Sequence, residues 1–209
     1  MMKNLKEIFS KKVFKVLKWV FLILIGLFFI LIIFRTFHYM DVQKTEDQVV
    51  KIHSTKLSMD DVMGKSLPVD PGIEADKTIQ GVDANNNGIR DDVELAIFKE
   101  YPDSAKTRAV LLQYALALQM ETIQPFVNEE IATEVVREQS RGFYCVGKIF
   151  PDRESDASYK ELLSTISFVE NNQFNTTERK DNRDIFLKKV RSFSDLEEDC
   201  DLDLSKLSN

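Results

Sequence analysis

The order of apolar and polar positions divides the chain into an apolar N-terminal segment and a longer remainder of mixed character. Residues 19–34 are uncharged and almost wholly apolar. Extended to residues 13–37, the segment exceeds the ~20 residues that a helix needs to cross a bilayer. Lys15, Lys18 and Arg35 can then extend their charged ends towards the two interfaces. The pattern predicts a single transmembrane helix over residues 13–37, which makes the lipid bilayer the first expected partner.

A cleaved signal peptide and a buried core helix are the two alternatives for this segment. A signal peptide has a shorter apolar core that ends at a small-residue cleavage site, and residues 35–40 contain no such site. A core helix of a soluble protein normally carries a polar face, which this segment lacks. We therefore favour a retained anchor and keep both alternatives open.

Basic residues are distributed unequally about the apolar segment. Six lysines precede Trp19, whereas only Arg35 and Lys44 follow it closely. Because the side richer in Lys and Arg stays in the cytoplasm, we expect residues 1–12 to form a cytoplasmic tail and the rest of the chain to lie across the membrane. Residues 36–209 carry 33 acidic and 21 basic residues, a balance that argues against a nucleic-acid-binding face.

The remainder predicts a polar stalk followed by a helical domain. Residues 38–67 are polar with scattered apolar positions, and Pro68 and Pro71 interrupt regular structure after them. Beyond that point apolar residues recur at helical spacing, and no strand-type alternation exceeds about four residues. We therefore predict an all-α domain over residues 68–209. Helix formers and capping signals place its main helices over residues 105–124 and 129–146, after Ser158 and after Asn175.

Cys145 and Cys200 are the only cysteines, and both fall on the predicted translocated side. In an oxidising compartment the two thiols would form a disulfide, which would tie the acidic C-terminal segment to the end of a helix. Two free thiols are the alternative. A metal site shared with His38 and His53 is disfavoured, because these four residues show no ligand spacing.

One stretch of the sequence carries recognisable chemistry. Oxygen-bearing side chains occupy positions 1, 3, 5, 9 and 12 of residues 83–94, and Gly88 occupies position 6. This is the spacing of an EF-hand calcium loop, in which alternate residues of a tight turn direct oxygens at one hard cation. The predicted calcium ligands are Asp83, Asn85, Asn87, the backbone carbonyl of Ile89, Asp91 and Glu94.

The loop departs from the usual pattern in two ways. Position 8 is Arg90 rather than an aliphatic residue, and little chain is left for an entering helix, so we expect a single unpaired loop. Only three of the predicted ligands are charged, which favours a dissociation constant of ~10⁻⁵–10⁻³ M, as in extracellular modules. The alternative is a polar Asn-Gly turn before an acidic helix N-terminus, with no metal.

The segment from Leu67 to Leu118 resembles a group of uncharacterised envelope proteins of Gram-negative bacteria. The shared features are a D-P-G turn, a G-[IV]-D-x-[ND]-x-[ND]-G-[IV]-R-D-D-V loop and a Y-P-D-S-A-K-T-R-A segment, and Cys145 and residues 175–179 are also similar. The resemblance implies a calcium loop and an exported location, here a periplasmic domain anchored in the bacterial inner membrane. It implies no activity.

Catalytic motifs are missing from the sequence. It contains no Walker loop and no G-x-G-x-x-G, H-E-x-x-H or G-x-S-x-G motif, and both histidines fall in the predicted stalk. The leading hypothesis is a non-enzymatic domain that binds another envelope protein and holds calcium as a structural ion. A cell-wall hydrolase that uses a pair of carboxylates and a calcium sensor are the alternatives.

Overall fold

The computed structural model describes residues 2–150, 155–193 and 199–208. Throughout these residues the regular structure is helical and no strand occurs, which confirms the predicted all-α class. The helices are α1 (Met2–Ser54), α2 (Met59–Val62), α3 (Asp91–Glu100), α4 (Ala105–Ile123), α5 (Glu129–Gly147), α6 (Asp156–Gln173) and α7 (Thr177–Leu187), with 3-10 turns at Gly72–Asp76 and Leu204–Lys206. The chain forms two compact units, one ending at Asp47 and the other comprising Gln48–Asn209.

Helix α1 is long and apolar enough to cross a membrane from Val13 onward, and its most apolar stretch is fully exposed. In the described residues it is the one helix with these properties, in agreement with the predicted single span. The helix continues to Ser54 because residues 38–54 contain no glycine or proline that would interrupt it. The membrane-proximal part of the predicted stalk is therefore helical.

The second unit begins at Gln48, so it includes residues 48–67, which the sequence pattern assigned to the stalk. The apolar side chains of Ile52, Leu57 and Val62 are buried in its core. The sequence pattern did not predict this packing, because these residues are isolated apolar positions in a polar stretch and their partners lie far along the chain.

Helix α4 forms the centre of the second unit. It packs against α2, α3, α5, α6 and α7, and nearly all of its side chains are buried. A helix surrounded in this way has no polar face to expose. Gly142 of α5 allows a close helix contact, since a Cβ there would lie 3.1 Å from the Cα of Tyr114.

The helix caps correct two sequence-based expectations. Ser158 lies inside α6, whose N-cap residue is Ser155. Thr176, rather than Asn175, caps α7 by accepting a hydrogen bond from the backbone N–H of Arg179. Capping residues occur in clusters in both stretches, so the sequence did not specify which of them adopts the extended N-cap conformation.

The predicted disulfide between Cys145 and Cys200 is confirmed, with an S–S distance of 2.05 Å. It fixes the C-terminal segment beside α5 and so positions the next residue, Asp201. The Oδ2 atom of Asp201 accepts a hydrogen bond from the backbone N–H of Leu57 at 2.9 Å, and its Oδ1 atom lies 2.7 Å from Arg141 Nη1. The C-terminal segment therefore holds the chain that follows α1.

An ionic cluster surrounds this contact. His53 lies between two carboxylates, with Nδ1 2.7 Å from Glu138 and Nε2 3.0 Å from Glu134. Burial acts to raise the pKa of Glu138, but hydrogen bonds from His53 and Arg141 hold that pKa below its usual range. His53 is thus a structural contact of the second unit and not a solvated residue of a stalk.

Replacing Asp201 with asparagine should destabilise the second unit. The Asp201→Asn variant removes a buried charge opposite Arg141, which keeps Glu138 as its other partner, so we expect a loss of about 2 kcal/mol in the free energy of unfolding. Denaturant unfolding of the full chain in detergent micelles measures it. The matched control is Asp199→Asn, an exposed aspartate two residues before Asp201 whose side chain makes no described hydrogen bond or ion pair, and it should not move the unfolding midpoint. Equal effects of the two variants would contradict the assignment.

Candidate metal centre

The loop of residues 83–94 leads directly into α3. Its backbone turns sharply at Asn86 and Gly88, whose φ angles are 58° and 84°. Glycine is required at the second of these positions, because a Cβ on Gly88 would also lie 2.7 Å from the Leu116 side chain. The tight turn predicted at position 6 of the loop is therefore present and packed against the central helix.

The polar side chains of the loop fold back onto its own backbone. Asp83 accepts hydrogen bonds from the backbone N–H groups of Asn87 at 3.2 Å and Gly88 at 2.9 Å. Asn87 Oδ1 accepts one from Ile89 N–H at 2.9 Å, and Asn85 Oδ1 accepts a longer one from Asn87 N–H at 3.4 Å. These short-range bonds fix the loop with its acceptor oxygens turned inward.

Two carboxylates of the loop are buried. Asp91 is fully buried and its two oxygens lie 3.0 and 3.2 Å from the backbone N–H of Ala84. Glu94 is 1% exposed, and its Oε2 atom accepts a hydrogen bond from Asn85 Nδ2 at 3.1 Å. The described residues place no Lys or Arg in an ion pair with either carboxylate.

The pKa values of Asp91 and Glu94 reflect their burial without an ion-paired Lys or Arg among the described residues. Burial raises the pKa of Asp91, and burial raises the pKa of Glu94 to about 7, against the opposing effect of the Asn85 hydrogen bond. A buried carboxylate without a cationic partner is costly unless it is protonated or coordinates a metal ion. The two buried carboxylates of the loop are therefore either protonated or balanced by a positive charge from outside the described residues.

The donor set would be mixed if a cation were held here. Within the described residues, no three side chains of the His, Cys, Asp and Glu types are grouped closely enough to hold a metal ion. A cation in the loop would consequently depend on the amide oxygens of Asn85 and Asn87 and the Ile89 carbonyl as well as on the carboxylates. Such an all-oxygen set is suited to a hard cation.

Arg90 fixes the loop to the rest of the second unit. Its guanidinium is fully buried, donates to both oxygens of Asp92 at 2.6 and 2.7 Å, and donates to the backbone carbonyls of Asn172 and Gln173 at 2.8 and 2.9 Å. These carbonyls are at the C-terminal end of α6, where a cation is favourable. The residue that departs from the EF-hand pattern thus has a structural reason for its position.

A second buried arginine holds the chain that precedes the loop. Arg179 donates to the backbone carbonyls of Ala75, Thr78 and Ile79. Gly81 then lets the chain pass Arg90, because a Cβ at that position would lie 2.3 Å from the arginine side chain. Arg179 thus holds the chain before the loop and Arg90 holds the end of the loop. The sequence contained no local signal for either set of contacts.

The second unit also buries a polar cluster that sequence reasoning did not identify. Oε1 of Glu121 accepts hydrogen bonds from Arg183 at 2.6 Å and Gln139 at 2.8 Å, whereas its Oε2 atom is buried without a partner. Tyr114 donates to Glu170 at 2.8 Å, and Arg183 lies 3.8 Å from the same carboxylate. In this cluster two carboxylates, those of Glu121 and Glu170, lie close to the guanidinium of Arg183.

No protein-family model, curated protein or solved structure matches this chain.

Stability should depend on pH through Glu121. Burial raises the pKa of Glu121 to about 7, although Arg183 and Gln139 act to lower it. Because the folded protein binds this proton more tightly than the unfolded chain, the resulting stability is complete below about pH 4.5 and is lost as the pH rises through about 7.

The Glu121→Gln variant keeps the hydrogen bonds of this side chain and removes the loss of stability at high pH, because glutamine does not titrate. We expect its melting temperature, relative to that of the wild-type chain, to increase by about 5 °C between pH 4.5 and pH 8. Thermal unfolding followed by circular dichroism across that range measures the difference. A difference that stays constant with pH would show that Glu121 does not titrate in this way.

Proposed function

We propose that this protein is a membrane-anchored, non-enzymatic domain of the bacterial envelope that holds one structural calcium ion and binds another envelope protein. The observation that carries the proposal is the burial of Asp91 and Glu94, without a cationic partner, in a loop whose other oxygens face inward. A divalent cation would satisfy that need for charge.

Calcium is the cation that suits this loop best. The proposed ligands supply oxygen atoms only, and calcium accepts six to eight oxygens in a flexible geometry. Magnesium requires a smaller, near-octahedral set and retains its water molecules. The proposed ligands are Asp83, Asn85, Asn87, the Ile89 carbonyl, Asp91 and Glu94.

A structural role for calcium is favoured over a sensor role by the connections of the loop. Its hydrogen bonds already fix its shape, and Arg90 and Arg179 clamp the segments beside it to α6 and α7. A sensor needs a second arrangement of comparable stability, and buried arginines bonded to backbone carbonyls resist such a change. Calcium would therefore add stability without a large rearrangement.

Calcium should raise the melting temperature of the full chain in detergent micelles. At a concentration a hundredfold above the dissociation constant, binding contributes about 2.7 kcal/mol, which corresponds to ~5–10 °C for a domain of this size. The Glu94→Gln variant should lose this response, because it removes the carboxylate that would close the coordination shell.

Glu100→Gln is the matched control for this experiment, since it makes the same change at an exposed position of the same helix. It should respond to calcium like the wild-type chain. Equal melting temperatures of the wild-type chain in calcium and in chelator would overturn the proposed site.

The proposed orientation places the N-terminus in the cytoplasm and the second unit in the periplasm. It is supported by the six lysines that precede Trp19, because positive residues are retained on the cytoplasmic side. It is also supported by the Cys145–Cys200 disulfide, because disulfides persist in oxidising compartments.

Protease added to spheroplasts should remove a tag at the C-terminus and spare one at the N-terminus. Under the proposed orientation only the second unit faces the outside of the inner membrane, so loss of the C-terminal tag on an immunoblot is the expected result. Detergent-permeabilised spheroplasts serve as the control in which both tags are accessible. Protection of the C-terminal tag in intact spheroplasts would reverse the orientation.

A protein partner is proposed rather than a substrate because Glu121 and Glu170, the two carboxylates beside Arg183, are held by neighbouring side chains. Arg183 and Gln139 bind Glu121, and Tyr114 and Arg183 contact Glu170. A general acid or base needs a free path to the reacting atom.

Crosslinking in intact cells, followed by purification of the membrane fraction, should recover a single envelope protein. Release of sugars or peptides from cell-wall material by the purified chain would instead favour the hydrolase.

A further inference from the structure

The structure connects the candidate calcium loop to an exposed apolar segment through one side chain. Asn85 Nδ2 donates a hydrogen bond to the backbone carbonyl of Ser66 at 3.0 Å. The oxygen of the same amide lies on the loop side, where it accepts the N–H of Asn87. Asn85 thus contacts the loop with its oxygen, and its nitrogen bridges Glu94 of the loop at 3.1 Å and Ser66 of residues 64–73.

Residues 64–73, which we call the 64–73 segment, are otherwise held lightly. Its other described hydrogen bonds are local and involve Asp60, Asp61, Asp70 and Glu74. Its apolar side chains are largely outside the core: Val69 is 87% exposed and Ile73 is 84% exposed. A segment with few buried contacts and short-range bonds belongs to the low-stability part of a protein.

The start of the segment is fixed independently of the loop. Gly64 adopts a φ angle of 66°, and a Cβ there would lie 2.8 Å from the Phe98 ring of α3. The carbonyl of Val62, just before it, accepts a hydrogen bond from the buried side chain of Arg108 at 3.1 Å. Asn85 therefore contacts the part of the 64–73 segment that follows this fixed start.

We infer that calcium in the loop orders the 64–73 segment through Asn85. A cation bound to the amide oxygen holds the side chain in one orientation and polarises the amide, which strengthens the hydrogen bond from its nitrogen to Ser66. This inference rests on the proposed calcium site and adds its consequence, which is that calcium controls how the exposed Val69 and Ile73 are presented.

Hydrogen–deuterium exchange of the full chain in detergent micelles tests the coupling. In the wild-type chain, peptides covering the 64–73 segment should exchange about fivefold more slowly in calcium than in chelator, the change expected if calcium strengthens the existing Asn85–Ser66 bond by as much as an ordinary hydrogen bond contributes. The Asn85→Asp variant keeps an oxygen ligand at this position and removes the N–H groups that reach Ser66 and Glu94, so it breaks the link from the loop to the segment.

The expected result is that Asn85→Asp keeps the calcium-dependent rise in melting temperature and loses the calcium effect on exchange. The control is Asn86→Asp, the neighbouring exposed position, which makes the same charge change and should behave like the wild-type chain. A wild-type calcium effect on exchange that persists in Asn85→Asp would overturn the coupling and leave the calcium site standing. Absence of any calcium-dependent rise in wild-type melting temperature would overturn the site and the coupling together.

Discussion

The arrangement of the second unit depends most on the hydrogen bonds made by the buried guanidinium of Arg90. This guanidinium joins the end of the candidate metal loop to the C-terminal carbonyls of α6, which are 82 and 83 residues away along the chain. A buried arginine is stable only when its donors are satisfied, and here Asp92 and backbone carbonyls satisfy them. The loop, α3 and α6 are consequently held as one structure.

Buried arginines also bind backbone carbonyls at other irregular parts of the second unit. Arg179 binds the carbonyls that precede the loop, and Arg108 binds those of Val62, Tyr101 and Pro102. Irregular backbone leaves carbonyl oxygens without partners, and a planar guanidinium can serve several of them at once. By contrast, Asp91 and Glu94 form no ion pair with a Lys or Arg of the described residues, and the proposed calcium ion would supply the missing positive charge there.

The parts of this structure that could be predicted from sequence are those with local signals. The apolar segment of α1, the Ala- and Leu-rich run of α4 and the pairing of Cys145 with Cys200 were all predicted and are confirmed. The spacing of the 83–94 loop predicted a sharp turn at Gly88, and the structure has it.

The parts that could not be predicted depend on long-range contacts. Residues 48–67 resemble a polar linker, yet Ile52 and Leu57 enter the core, and Asp201 of the C-terminal segment binds the backbone of Leu57. Arg90 and His53 looked like solvated or anomalous residues, because the carbonyls that bind Arg90 and the carboxylates that bind His53 lie more than 80 positions away. Hydrophobic periodicity carries no information about such partners.

Direct titration of the full chain with calcium in detergent micelles, by isothermal titration calorimetry, tests the central claim most directly. The account predicts one calcium ion bound per chain and no detectable binding to the double variant Asp83→Asn/Glu94→Gln. A wild-type chain that binds no calcium at millimolar concentration, or a double variant that binds it unchanged, would contradict the account.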